Sequence, residues 1–183
     1  MRLYGRNNEV AIILSDGRQL TLATTISEMA YFSDKYGTAF SWTASLDLGA
    51  DVNVIWLRND SLVQQLVVNK LFVSASAAAT VEIWTGTGNT VGGTVVTPTI
   101  LNPKFNNTAP STCRHTNTNV DAGAGMSILS THQLGVAAEK TIDYDDALRL
   151  TLNTEIAVNV ITDIALTSVT ILGYFRPVED ITG

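Results

Sequence analysis

The chain has 183 residues, 45% of them hydrophobic and only 15% charged, where soluble domains usually carry about 25% charge; that excludes disorder and leaves enough chain for one buried core. The formal net charge is −6 with the 11 Lys and Arg scattered, which argues against a nucleic-acid partner, because a phosphate backbone needs clustered cations. No apolar run approaches the roughly 20 residues of a membrane helix, and a single cysteine allows no intrachain disulfide, so stability has to come from packing, ions or oligomerisation.

In chain order, the first residues lack the apolar core of a signal peptide, so synthesis and use without export are expected. Ser15-Asp16-Gly17-Arg18 then separates Val10-Ala11-Ile12-Ile13-Leu14 from Gln19-Leu20-Thr21-Leu22, and an Asp-Gly pair between apolar runs predicts a hairpin. Thr25-Ile26-Ser27-Glu28 fits a capping box, Met29, Ala30 and Ser33 follow at helical spacing, and Gly37 offers a stop; this predicts one short helix. Phe40, Trp42, Leu46 and Leu48 alternate with polar residues and share one face of a strand. Segments 52–57, 66–73, 158–161 and 169–175 are apolar on both faces and read as central or covered strands. Thr80-Val81-Glu82-Ile83-Trp84-Thr85 alternates with Trp84 on the wetter side. Gly86-Thr87-Gly88-Asn89 lacks the helix and the lysine of a phosphate loop and reads as a hairpin tip.

Three of the four prolines fall in 98–125, which predicts a long ordered loop laid across a partner surface. Leu148, Leu150 and Leu152 alternate with Arg149, Thr151 and Asn153 and predict one core stripe. Short strands at regular intervals without long helices predict an all-β fold, an antiparallel β-sandwich. Residues 1–36 form an N-terminal arm of hairpin plus short helix, and 37–183 the sandwich domain.

The chemistry-bearing residues are few. Cys113-Arg114-His115 places a thiol near an imidazole, but the only other imidazole is His132 and no second cysteine exists, so a loop cysteine and a surface histidine are expected. Asp143, Asp145 and Asp146 could offer oxygens to a hard cation; their spacing lacks the glycine and distal glutamate of a calcium loop, and an acidic turn is the expected reading. Trp42, Trp56 and Trp84, with Tyr174 and Phe175, could stack sugars, but their strand positions point to core packing. Asn59-Asp60-Ser61 and Asn106-Asn107-Thr108 match the glycosylation sequon without an export signal to use it. The thin inventory of ionisable groups argues against an enzyme, and no cofactor is expected.

Three fragments carry a resemblance: Gly92-Gly93-Thr94-Val95-Val96-Thr97-Pro98 before a polar loop, Asp145-Asp146-Ala147-Leu148 entering an alternating strand, and Val169-Thr170-Ile171-Leu172-Gly173-Tyr174-Phe175. Together, over about 42–175, the chain resembles the small β-sandwich virion proteins of tailed bacteriophages, above all head decoration (cement) proteins. The resemblance implies a jelly-roll-like homotrimer made in the host cytoplasm, located on the capsid surface and bound to the major capsid protein at capsomer junctions. The rival is a receptor-binding or carbohydrate-binding module of a phage tail or baseplate. On the cement reading the partner-facing residues are those without periodic neighbours to bury them: Leu3, Tyr4, Met29, Tyr31 and Phe32 in the arm, and Ile100, Leu101 and Phe105 in the loop.

Overall fold

The computed structural model describes residues 2–4, 10–13, 19–22, 27–48, 52–87, 92–115, 125–161 and 165–178. The N-terminal hairpin pairs β2 (Val10–Ile13) with β3 (Gln19–Leu22), and a further strand, β1 (Arg2–Tyr4), adds to β2 to make a three-stranded antiparallel sheet. The Asp16-Gly17 turn lies outside the described residues, as do the side chains of Leu3 and Tyr4.

The helix α1 runs Glu28–Tyr36, and its cap is Ser27, whose hydroxyl accepts from the Ala30 amide at 3.3 Å. The capping box read at Thr25 to Glu28 is therefore shifted. Ala30 now occupies the third helical position and cannot reciprocate, and Glu28 instead reaches out of the helix to accept from Tyr174 Oη and from Arg176 at 3.2 Å. Gly37 ends the helix in the left-handed region at φ 63°, and the Phe105 ring lies 2.2 Å from where a Cβ would stand. Both the backbone angle and the neighbouring ring require glycine there.

The remaining strands are β4 (Ala39–Leu48), β5 (Val52–Asn59), β6 (Gln64–Ala75), β7 (Ala79–Thr87), β8 (Thr94–Val95), β9 (Thr99–Ile100), β10 (Ser111–His115), β11 (Met126–Leu134), β12 (Ala138–Leu150), β13 (Thr154–Ile161) and β14 (Ala165–Pro177). They form two antiparallel sheets in the orders β11-β7-β13-β5-β10-β8 and β12-β6-β14-β4-β9. The eight long strands, β12-β6-β14-β4 facing β11-β7-β13-β5, have the jelly-roll-like order, so the all-β sandwich expected from strand spacing is the observed fold.

The core lies between the sheets. Phe40, Trp42, Ile55, Leu57, Leu66, Leu71, Ile83 and Phe175 are essentially solvent-free and belong to one cluster. The segments apolar on both faces became the central strands β5, β6, β13 and β14, because each also buries its outward residues. Met29 and Phe32 of α1 cover Ala39, Val67 and Tyr174 on the outside of one sheet. Trp56, Ala157 and Met126 pack with the partly exposed Trp84 on the outside of the other. Where no cover exists the outer face turns polar. Thr43 and Thr170 stand directly opposite, as do Ser45 and Ser168, and each pair closes a 2.9 Å hydrogen bond across β4 and β14.

Two expectations change. Leu148 and Leu150 do line the core, but Leu152 is 39% exposed. The strand stops at Leu150 because Asn153 adopts φ 59° and the Thr154 amide bonds back to the Thr151 carbonyl, turning the chain into β13. An unbroken alternation continued on paper through what is a turn. Segment 98–125 is not a bare loop either. It carries β9 and β10, and with β8 it lies on this molecule's own sandwich, β9 along β4 and β10 along β5.

Candidate interaction surfaces

Among the described residues the sandwich has four sheet edges, and three are blunted. β8 and β9 are two residues each, too short to template a further strand. β12 is 13 residues long but interrupted: four residues, 144–147, stand between the Asp143↔Lys70 and Leu148↔Val68 pairs. Within this bulge Asp145 and Asp146 have φ 46° and 62°, and bulges and charges are both devices that stop edge pairing.

This bulge holds the three acidic residues considered as cation ligands. Lys70 Nζ takes Asp143 at 2.7 Å, the Asp145 amide donates to Asp143 Oδ1 at 3.0 Å, and Asn69 Nδ2 donates to Asp146 Oδ1 at 2.8 Å. The Lys70 bond, with the Asp145 amide behind it, holds the Asp143 carboxyl below its ordinary range. Among the described residues no group of three metal-ligating side chains comes together. The acidic stretch is thus a pinned bulge, with the Asp143 carboxylate engaged by a cation and a backbone amide and Asp146 Oδ1 by a side-chain amide.

The fourth edge, β11, differs. Its sequence, Met-Ser-Ile-Leu-Ser-Thr-His-Gln-Leu, has no Asp, Glu, Lys, Arg or Pro, and it pairs with β7 on one side only among the described residues. Ser127, Ile128 and Leu129 are exposed, with a register shift between Ile128 and Ser130. Its one ionisable group, His132, is held below the usual imidazole range by desolvation and by Lys140.

A groove opens at one end of the sandwich. The aromatic residues of α1, Tyr31, Phe32 and Tyr36, make one wall; Thr38, Gln64 and Phe175 make the floor, and Pro177 closes this lobe of about 430 Å³. The same floor continues into a second lobe of about 360 Å³ walled by Asn107, Thr108 and Pro110. Phe32 stacks on Tyr174 at 5.1 Å, Tyr31 meets Phe32 edge-on at 5.5 Å, and Tyr36 leans on Phe32 at 5.7 Å. Lys35 Nζ donates to Tyr31 Oη at 2.7 Å, which pulls that phenol below its ordinary pKa. Asn107 Nδ2 donates to the Tyr36 carbonyl at 2.7 Å and so ties the second wall to the end of the helix.

The residues predicted to face a partner fall into different settings. Met29 and Phe32 spend much of their apolar surface on the molecule's own sheet, Ile100 packs against the main core, and Phe105 packs on Gly37. Their neighbours are distant in sequence, so local periodicity could not show them. Tyr31 lines the groove and Leu101 stays 38% exposed. Tyr36, Thr38 and Gln64 were missed; the i, i+4 pair Phe32 and Tyr36 was the one legible sign of an aromatic helix face.

Cys113 and His115 do not form a pair that could act. Cys113 is 2% exposed within the main core, and burial pushes its thiol far above the range in which a thiolate forms. The expectation of a plain loop cysteine is corrected to a core residue of β10. Cys113→Ser should lower stability by about 1–3 kcal/mol by burying a hydroxyl without a partner, while His115→Asn should change it by less than about 0.5 kcal/mol. Urea denaturation of both variants checks this, and equal midpoints would contradict it. Asn59, of the first sequon, is solvent-free: its amide donates to the Gln64 and Leu150 carbonyls at 2.9 and 2.8 Å. It is a structural tie between strands and presents no acceptor for a glycan.

No protein-family model matches the chain, and neither does any curated protein or solved structure. What the described residues define is an antiparallel, jelly-roll-like β-sandwich with an uncharged edge and an aromatic groove.

Proposed function

We propose that this chain is a structural assembly protein, and specifically a decoration protein of the tailed-phage head. The observation that carries the assembly part is the contrast among the four edges. A long edge strand presents a row of N–H and C=O groups able to accept another strand, and natural proteins normally block it. Here the insertion between β7 and β11 blunts the edges at β4 and β5, and a charged bulge blunts β12. β11 is left uncharged and free of proline, as suits an edge reserved for a segment of a neighbouring copy.

Exposed apolar residues add to this reading. Leu62, Val63 and Val178 are 80, 72 and 52% exposed, and the Val178 amide bonds to the Val63 carbonyl, so they cluster at one end. Val136 and Leu166, 74 and 61% exposed, flank Ser76 at another turn. Apolar surface gathered in this way marks association sites. The phage-head assignment draws on the three sequence fragments, which lie in and around β8, β12 and β14, and on the use of jelly rolls in viral capsids; the fold alone does not assign a function.

Light scattering at micromolar concentration should return three times the 19.6 kDa chain mass, and Ile128→Lys with Thr131→Lys should reduce it to one chain without changing the circular dichroism. A monomeric wild type would overturn the self-assembly reading. Electron cryo-microscopy of the native particle would then show whether the trimer stands at capsomer junctions; density elsewhere would overturn the head assignment.

A further inference from the structure

The geometry points to the end groove as a binding site for a neutral saccharide. This goes beyond the assembly reading and does not rest on it.

The argument begins from the two unlike walls. One offers the rings of Tyr31, Phe32 and Tyr36, with Tyr36 45% exposed; the other offers Asn107 and Thr108, and Thr38 and Gln64 lie on the floor between them. A pyranose has the matching division, an apolar C–H face that lies on an aromatic ring and a rim of hydroxyls that both donate and accept. The two lobes, about 430 and 360 Å³, are each within the 300–1,000 Å³ typical of small-molecule sites.

The polar groups are also available. The Thr38 hydroxyl oxygen is buried and has no hydrogen-bond partner among the described residues, although buried hydroxyls are rarely left so. The Gln64 carboxamide and the Thr108 hydroxyl likewise bond to nothing among the described residues. Gln64 supplies a donor and an acceptor, and each threonine can serve as either, which suits a partner bearing several hydroxyls.

Charge decides between ligand classes. No residue lining either lobe is ionisable in the physiological range, and Lys35 is turned onto Tyr31 and Tyr36. A phosphate, sulfate or carboxylate would find no cation to meet it, in a chain of net charge −6. A proline-rich peptide could use the aromatic wall but presents mainly carbonyl acceptors, which would leave the acceptor side of Thr38, Gln64 and Thr108 unused.

The test uses the full chain on an array of neutral hexose and N-acetylhexosamine oligosaccharides beside sialylated and sulfated ones, with a proline-rich peptide titrated separately by calorimetry. Retention of neutral glycans is expected, with at least tenfold weaker binding in Gln64→Ala and in Tyr36→Ala. Gln64→Ala removes no intramolecular hydrogen bond, so it keeps the test decisive should Tyr36→Ala fold poorly; melting curves check both. No retained neutral glycan, a preference for acidic glycans, undiminished binding by Gln64→Ala, or capture of the peptide in their place would each overturn the proposal.

Discussion

Replacing Trp42 by alanine is expected to lower the unfolding free energy by about 3–5 kcal/mol, at the upper end for a single core substitution. The indole is solvent-free between the sheets, with the Phe40 and Phe175 rings at 6.1 and 6.4 Å. Neither neighbour can refill its volume, because both are held in strands by their own pairing. The indole Nε1 nevertheless has no partner among the described residues, and a buried orphan donor carries its own cost. Trp42→Phe therefore removes a liability along with some packing. At Trp56 the same exchange acts in the opposite sense: its Nε1 donates to Glu155 Oε2 at 2.6 Å, and that carboxylate is solvent-free. Trp56→Phe takes away a hydrogen bond to a buried carboxylate, worth about 1.5–3 kcal/mol. Chemical denaturation should rank the variants Trp42→Ala, then Trp56→Phe, then Trp42→Phe in order of loss. If Trp42→Phe proved the costlier of the two phenylalanine exchanges, the assignment of hydrogen bonds at these indoles would be wrong.

Leu150→Ala should cost about 2–5 kcal/mol, while Leu152→Ala should fall within about 0.5 kcal/mol of the wild type. The positions are two residues apart, yet Leu150 is 1% exposed and Leu152 39%. Leu150 also sits where the Asn59 amide, itself buried, takes its carbonyl, so the cavity opens beside a polar tie that resists collapse. Thermal melts of the two single variants decide it. Similar losses would mean that β12 continues past Leu150 as a regular strand and that the turn at Asn153 is misplaced.

The same pair shows what local pattern can and cannot convey. Alternation identified β4, β7 and the last three residues of β12, because a strand with one wet face writes its orientation into every second residue. Doubly apolar runs identified the central strands β5, β6, β13 and β14, because a strand covered on both sides has no polar face to write. The helix stop at Gly37 was legible as well, since a left-handed cap asks for glycine. The capacity of the acidic residues 143, 145 and 146 to bond local backbone was legible, but the turn expected before a strand at Ala147 is instead a bulge within β12.

Other features depend on neighbours far away in the chain. Whether Glu28 caps its helix or reaches for Tyr174 and Arg176, and whether Cys113 lies in a loop or in the core, were decided by residues more than a hundred positions away or by pairing with β5 and β8. The groove belongs to this class. Tyr36, Gln64, Thr108 and Phe175 come from a helix, two strands and an insertion, and only the closure of the sandwich brings them to one end. From its amino acids alone this protein is determined as an all-β chain with a buried core and few ionisable groups, because periodicity and composition are local quantities. Which edge stays open and which rings meet which amides was decided by tertiary structure, because edges and grooves are relations between segments that no window of sequence contains.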